Sequence, residues 1–522
     1  MNYFNNKERF KNLIEKPNDI SSLLQNDMLL ISGDFYGIQK FIFDRLSTKN
    51  ASKVLRAKSA FIQIFTEYIA RYICSELNVK EDAILSITAG KFEILIPKQE
   101  INLDDIQDKI DNYFIKNFYG LSGIMLSFVE CNYDDFNNSV RYKKLRKKII
   151  DSIEDKKFQK FNLFKQDAFD ILEYDTNIDN QTLCPICNIR KSQKEKENCN
   201  ICDSFINLGK ELAKNSEELV FASTLGISFV DNFDPKIKLN NKIKSYVFYI
   251  DESGIRTPAD FKLLADSSCK NLDTDVKSLA VLKADVDNMG KFLEKSNVTN
   301  SFENFDSFSK TIDNFFSIYV PKMMREKYPN TYTVFAGGDD LFLLGAWDEI
   351  LNLSREIEKE FKAFVNSDDL SISFGIAIAK PTTPISYLAD YTEHLLEEAK
   401  GIDEDKEVEH PKDAISLFGE TVKWKEYLNV YKKLDEAFKG YENIITTTTL
   451  YRLLDFCNMS KRVKDGDIRA TIWKSKLNYL FYRNMNIEKD KNLMEKLNQN
   501  IEEYPKATKM FLVEFIYKRR KS

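Results

Sequence analysis

The spacing of apolar residues changes period several times along the chain, and each change marks an element. "MLLISGDF" (28–35) is an apolar run that ends at a glycine and an acid, which predicts a buried strand. Over about 53–76 the apolar residues recur at helical spacing, and strands follow at "AILSIT" and "FEILIP". A similar succession returns from 278. "SLAVLKAD" predicts a strand, 302–327 a helix with Phe305, Phe308, Ile312 and Phe315 on one side, and "YTVFAGGDDLFLLG" (332–345) a hairpin. A helix over about 347–366 carries Ile350, Leu353, Ile357, Phe361 and Phe364 at helical spacing. "LSISFGIAIA" is then a strand, 384–400 a helix and "DAISLF" a last strand. The result is β-α-β-β-α-β-α-β, a palm-like α+β order with an antiparallel hairpin inside it. Residues 421–522 read as all helical, with Trp424, Leu428, Tyr431, Leu434 and Phe438 as the stripe of a bundle core.

The pattern repeats. "ISGDFYGIQKFI" (31–42) aligns without gaps with "LKADVDNMGKFL" (282–293), so that Asp34 meets Asp285, Lys40 meets Lys291 and Phe41 meets Phe292. Some fifty residues later "ITAGKFEILIP" (87–97) parallels "VFAGGDDLFLLG" (334–345), with Ala89–Gly90 opposite Ala336–Gly337. A duplicated palm of ferredoxin-like, nucleotidyl cyclase/polymerase type is expected, its first copy carrying Lys91-Phe92 where the second has its acid pair. The expected domains are a degenerate first palm (1–140), a helical and zinc-binding linker (141–270), a second palm (271–420) and a C-terminal helical domain (421–522).

Composition narrows the classes. With 43% apolar residues, 30% charged residues and a net charge of −5, the chain is neither disordered nor polybasic throughout. Any contact with nucleic acid is therefore local, the basic run 141–148 and the terminal "YKRRKS" being the candidates, although such runs are usually solvated helix faces. The N-terminus lacks a signal-peptide core and no apolar run approaches about 18 residues, so the cytoplasm is the expected compartment and no membrane is expected as a partner. Only two histidines occur, His394 and His410, too few for a histidine-rich hydrolase centre.

Two constellations carry chemistry. Asp285 ends one strand, and Asp339 and Asp340 sit at the hairpin turn. If the strands are neighbours, their carboxylates converge at a sheet edge and suit Mg²⁺ or Mn²⁺, hard ions that take oxygen ligands and keep waters for phosphates. Two ions about 4 Å apart can activate a ribose 3′-hydroxyl and neutralise pyrophosphate. Gly337 and Gly338 allow a tight turn and close approach of a nucleotide. The segment "VDNMGK" after Asp285 (Val286, Asn288, Gly290 and Lys291) begins a helix able to receive a triphosphate, and Lys412 adds a cation. The bland alternative is an ordinary Gly-Asp hairpin turn. Second, Cys184, Cys187, Cys199 and Cys202 form two Cys-x-x-Cys pairs separated by eleven residues, the pattern of a structural zinc site; the alternatives, a pair of disulfides or a redox motif, suit a cytosolic α/β chain poorly. Cys74, Cys131, Cys269 and Cys457 are scattered and read as packing residues.

The order "GDFYGIQKFIF", "LRAKSAF", a four-cysteine segment, "LKADVDNMG", "FAGGDD" and "KDAISLFG" resembles the large, polymerase-like subunit of type III CRISPR–Cas effector complexes in its Csm branch. The resemblance covers roughly 28–420. It implies cyclic oligoadenylate synthesis from ATP, switched on when the guide-bearing complex pairs with target RNA in antiviral defence. It implies other subunits of the complex, guide RNA and target RNA as partners. One ATP would sit with the "GGDD" palm, where Asp285 and Asp340 bind metal with Asp339 in support. The other would sit near Asp34, Phe35, Tyr36 and Gly37. Most members carry an N-terminal HD nuclease domain. Here the first palm begins near residue 28 and histidines are scarce, so no HD-type nuclease activity is expected; manganese-dependent cleavage of single-stranded DNA by the purified chain would overturn that. "LRAKSA" also departs from the arginine more common before the serine. A silent scaffold that binds guide RNA and partner subunits, a diguanylate cyclase and a templated polymerase are the alternatives, and the intact acid pair, Asp340-Leu341 after the glycines and the lack of a fingers-type module argue against each in turn.

Overall fold

The computed structural model describes residues 3–43, 46, 50–88, 90–159, 183–193, 196–213, 217–239, 248–250, 254, 256–271, 274–402, 412–441, 444–484 and 487–520. His410 lies outside the described residues.

The first α/β unit is built on β1 (Met28–Tyr36), with α1 (Ala51–Glu76), β2 (Ile84–Thr88), β3 (Lys91–Pro97), α2 (Leu103–Phe118), β4 (Gly123–Cys131) and α3 (Ser139–Phe158) following in order. Its four strands lie in the order β2-β3-β1-β4, all antiparallel. Every residue of β1 is buried, including Ser32 and Asp34 after the apolar run Met28–Ile31. The side chain of Asn102 caps α2 by accepting from the Asp104 and Asp105 N–H groups. Beyond this unit α4 (Asn200–Ala213) packs on α1 and carries the last cysteine of the four-cysteine cluster.

The second unit repeats the succession: β5 (Leu279–Asp287), α5 (Phe302–Asn314), α6 (Val320–Lys327), β6 (Thr331–Gly337), β7 (Asp340–Ala346), α7 (Trp347–Phe364), β8 (Ser371–Ala379), α8 (Ile385–Lys400), β9 (Ala414–Leu417) and β10 (Glu420–Lys423). The strand order is β6-β7-β5-β8-β9-β10, and only the β8–β9 pair is parallel. The expected helix over 302–327 is interrupted. A π-helical turn at Phe315–Tyr319 separates α5 from α6, and Phe315 and Phe316 pack there against Phe361. Five helices follow: α9 (Trp424–Phe438), α10 (Thr447–Lys464), α11 (Trp473–Asn484), α12 (Ile487–Glu503) and α13 (Pro505–Arg519). Trp424, Leu434 and Phe438 of the predicted stripe are buried in the core they share with the second sheet, while Leu428 and Tyr431 pack at its edge.

Strand alternation decides which face of β5 meets what. Leu279 and Val281 pack into the core of the first unit and α1, whereas Ala280, Leu282, Ala284 and Val286 pack toward α7 and the C-terminal helices. Lys283, Asp285 and Asp287 share the parity of Leu279 and Val281 and therefore project from the face turned to the first unit. Two further contacts join the units: Arg56 of α1 donates to the Thr333 carbonyl at 3.2 Å, and Phe43 packs on Phe342 with ring centroids 4.5 Å apart. The N-terminal segment spans both, with Phe4 and Phe10 in the core of the second unit and Ile20 in the core under β1.

Candidate functional site

A cavity of about 930 Å³ opens between the two units. Asp34, Phe35, Tyr36 and Gly37 line one wall; Gly337, Gly338, Asp339 and Asp340 line the other. These eight predicted residues, in two groups 300 positions or more apart in sequence, are brought together.

The second-unit wall is set by strand pairing. Gly337 and Asp340 close a two-residue turn, and Asp340 pairs directly with Asp285 on β5. Gly338 sits at φ +62°, a conformation that glycine adopts without strain. Its N–H donates to Asp313 Oδ1 on α5 at 3.1 Å, and the Asp339 carbonyl accepts from the Val286 N–H at 3.2 Å. The turn is thus held from beneath and from the side. Burial pushes the Asp340 carboxyl up to about 6; Lys283 opposes the rise and Asp339 adds to it. Burial also raises Asp339. Lys400, the last residue of α8, forms an ion pair with Asp285, and Lys283 forms one with Glu393 of the same helix.

The first-unit wall has a related layout. Thr88 and Lys91 close the turn of the β2–β3 hairpin, and Lys91 pairs with Asp34 exactly where Asp340 pairs with Asp285. Asp34 Oδ2 lies 2.8 Å from Lys157 Nζ, near the end of α3, and 3.5 Å from Lys91 Nζ. Gly37 has φ +70°, and a Cβ there would stand 2.7 Å from the Leu121 carbonyl oxygen, so the turn after β1 requires glycine. By strand register the equivalent of Asp340 is Lys91. The expected match of Ala89–Gly90 to Ala336–Gly337 is therefore corrected by two positions, and the acid pair stands against Gly90-Lys91 rather than Lys91-Phe92. The glycines hold different places in the two turns: Gly90 (φ +85°) directly precedes the closing residue, and Gly338 stands one position further back.

Several predicted residues lie elsewhere. Val286 is a core residue and reaches the turn only through its backbone. Asn288 adopts φ +59° and lines a separate pocket of about 410 Å³ with Lys362 and Asp413, while Met289 and Leu293 of the short helix Met289–Lys295 line the large cavity. Neither Gly290 nor Lys412 lines the large cavity. Lys412 belongs to a tight turn (φ +72°) whose next residue, Asp413, donates its N–H to Asp287. Asp287 was not singled out by sequence. It is fully buried and accepts from Ser371 Oγ (2.7 Å), Ser373 Oγ (2.9 Å) and the Asp413 N–H (3.1 Å), and burial raises its pKa. Lys157, Lys283, Asp313, Glu393 and Lys400 were missed as well. Lys157 and Lys400 end corresponding helices after the fourth strand of each unit, so extending the repeat past the hairpins is the signal that finds them.

Of the basic candidates, Arg146 turns inward to pair with Glu93 and lies over the Phe305 ring at 4.3 Å, whereas Lys144, Lys147 and Lys148 are exposed. Lys518 is drawn in to Glu514 at 2.7 Å. His394 is exposed, 3.6 Å from Glu398. Cys74, Cys131 and Cys457 are buried.

The ligand sulfurs of Cys184, Cys187, Cys199 and Cys202 lie within 4.8 Å of one another, and all four residues are buried in the core of the first unit. Four thiolates at this spacing could hold Zn²⁺. Among the described residues this is the only such group of three or more histidine, cysteine or acidic side chains; Asp285, Asp339 and Asp340 are not drawn together to that degree.

The fold and the acid-bearing hairpin define a palm protein of the Cas10 class: residues 278–409 match the family model for the Cas10/Cmr2 second palm domain, and residues 27–174 match that for Csm1 subunit domain B. The chain's homologues are the Cas10/Csm1 large subunits of subtype III-A. It is 26% identical over 481 residues to the CRISPR system single-strand-specific deoxyribonuclease Cas10/Csm1 of Methanocaldococcus jannaschii, covering 76% of this chain and 59% of that protein. The protein of the same description from Streptococcus thermophilus is 25% identical over 537 residues, covering 94% and 68%. The chain thus spans only part of the length of these relatives. Among solved structures, the Csm1–Csm4 cassette in complex with one ATP superposes with a TM-score of 0.69 at 19% identity, covering 95% of this chain and 71% of that one. The Csm1–Csm4 cassette in complex with cA4 superposes with a TM-score of 0.68 at 19% identity, covering 95% and 70%. At this identity the likeness is one of fold.

Proposed function

We propose that the chain is the ATP-using large subunit of a type III-A CRISPR effector complex and joins ATP into cyclic oligoadenylates in the cavity between its two units. The observation that carries this reading is that Asp339 and Asp340 line that cavity opposite Asp34 to Gly37, with Asp285, outside the lining, paired to Asp340 on the neighbouring strand. The first unit acts as a palm without acids at its turn and the second as a palm with them, with the four-cysteine segment between them and the C-terminal helices behind the second. Ligands named for the solved relatives, cA3, cA4, pppApA and ATP, agree with a cavity that takes adenine nucleotides.

Asp285 and Asp340, supported by Asp339, are the groups to hold Mg²⁺ or Mn²⁺. The fit rests on a half-buried pair of neighbouring carboxylates, of which Asp340 is pushed up to about 6 by desolvation, an arrangement that a cation relieves. When bound, such an ion neutralises the polyphosphate and acidifies the attacking hydroxyl. Gly337 and Gly338 let the nucleotide approach the backbone. Asp313 holds the Gly338 N–H and so keeps the turn in place, and the first-unit wall holds the nucleotide that offers its 3′-hydroxyl. The four cysteines bind a structural zinc. Partner subunits, guide RNA and target RNA complete the active assembly, and the Csm1–Csm4 pairing named for the solved relatives is the model for one such partner.

The test is incubation of the assembled complex with target RNA, Mg²⁺ and ATP, followed by mass spectrometry. Cyclic adenylate products that depend on target RNA are expected. Their persistence in the Asp339→Ala/Asp340→Ala variant would contradict the assignment.

A further inference from the structure

The two units carry the same three positions, filled differently; all three line the cavity in the first unit, and in the second Asp340 lines it with the other two behind. Each unit has an acid on its central strand (Asp34, Asp285). Each has a lysine near the end of the helix after its fourth strand that pairs with that acid (Lys157, Lys400). Each has a residue that closes the hairpin turn directly opposite the acid. That third residue is Lys91 in the first unit and Asp340 in the second. The first trio holds two ammonium groups against one carboxylate; the second holds one ammonium against two carboxylates, with Asp339 beside them.

The surrounding walls follow the same division. The first unit lines the cavity with Lys40, Lys91, Arg146 and Lys157 against Asp34 and Glu93. The second lines it with Lys283 and Lys310 against Asp306, Asp339 and Asp340. One wall is net positive and the other net negative. A nucleoside triphosphate carries several negative charges, so it can be held by fixed ammonium groups on the first wall but meets repulsion on the second until a divalent cation intervenes. Lys157 is also in contact with Glu154, at 2.7 Å, on the exposed side of the helix, which leaves Lys91 as the ammonium freer to turn to a ligand.

We infer that Lys91 and Lys157 form a polyphosphate site that binds a nucleoside triphosphate without divalent metal, the ammonium of Lys91 taking the place that a metal ion takes in the second unit. The ligand class rests on the function proposed above. The consequence is two kinds of site in one cavity, one loaded without metal and one only with it.

Equilibrium dialysis of the full chain with ATP tests this. In EDTA about one equivalent of ATP binds, and Mg²⁺ brings a second. Lys91→Gln, at a side chain 68% exposed and so harmless to folding, weakens the binding in EDTA about tenfold. Lys157→Gln does the same, and Lys157→Arg restores it. Lys147→Gln, on the same helix but away from the cavity, leaves it unchanged. Absence of ATP binding in EDTA, or binding there that neither Lys91→Gln nor Lys157→Gln weakens, overturns the inference. If cyclic products form with Mg²⁺ while no ATP binds in EDTA, this inference alone fails; if ATP binds in EDTA as described but no product forms in the assembled complex, the proposed reaction alone fails.

Discussion

The two hairpins that meet across the cavity have the same strand register and turn length and opposite chemistry. Both close with a two-residue turn against a central strand that carries an aspartate, and both have a lysine reaching that aspartate from the end of a helix. What differs is the closing residue, Lys91 or Asp340. A single position decides whether the turn presents a cation or calls for one. The contrast extends outward. The first unit is backed by the four-cysteine segment and the second by the C-terminal helices, so each half of the cavity has its own support.

Removing the acids breaks the comparison most severely. Asp339→Ala/Asp340→Ala is expected to lower cyclic oligoadenylate synthesis by about 10⁴-fold, measured as product per unit time, since metal-assisted charge neutralisation is worth several kcal/mol. Next is the support of the first unit. Cys187→Ser, or chelation, should release one zinc equivalent and lower the Tm by about 10 °C, read by metal analysis and calorimetry. The second unit has a counterpart in Arg355 of α7. Arg355 bonds Glu514 of α13 at 2.9 Å and lies 4.0 Å over the Tyr431 ring, and Glu514 is buried. Arg355→Ala leaves the buried Glu514 carboxylate with Lys518 and the Tyr431 hydroxyl but without its guanidinium partner, and should cost about 3 kcal/mol in urea unfolding.

The same pair gives a pH signature. Burial alone would raise Glu514, but Arg355 and Lys518 hold its carboxyl at about 2, below the ordinary 4.5. The folded-state value is depressed, so its contribution is fully present above about 4.5 and fades as pH falls toward 2. Unfolding of the wild type should therefore become easier over that window, and Glu514→Gln should flatten this dependence. The smallest expected effect lies at the turn. Asp313→Ala removes a charge-assisted hydrogen bond from Gly338 worth about 1.5–3 kcal/mol, and should slow synthesis roughly tenfold or more, with Asp313→Asn milder.

The hairpins, the central-strand acids and the cysteine pairs were legible because each depends on local pattern. Alternation, glycine position and short spacing carry them, and Asp34, Asp285, Asp339 and Asp340 were found that way. The lysines that complete each trio were not, because Lys157 is 123 positions from Asp34 and Lys400 is 115 from Asp285, and only strand and helix packing brings them together. Asn288 and Gly290 lie off the large cavity for a local reason. "VDNMGK" predicts a helix start, and the left-handed turn at Asn288 sets Asn288 on the smaller pocket while Met289 beside it lines the large one. The repeat was legible and its register was not, since the glycine moved within a turn of constant length. Burial of Arg146 and Lys518 shows the same limit: a basic run does not reveal which of its members folds inward.

The central claim is that two unlike walls make one site for two nucleotides. A structure of the assembled complex with a non-hydrolysable ATP analogue and Mg²⁺ tests it most directly. The account predicts two nucleotides in the cavity, the triphosphate of one against Lys91 and Lys157, and that of the other at a metal held by Asp285 and Asp340. A single nucleotide, or two that both lie away from Asp34 to Gly37, would contradict it.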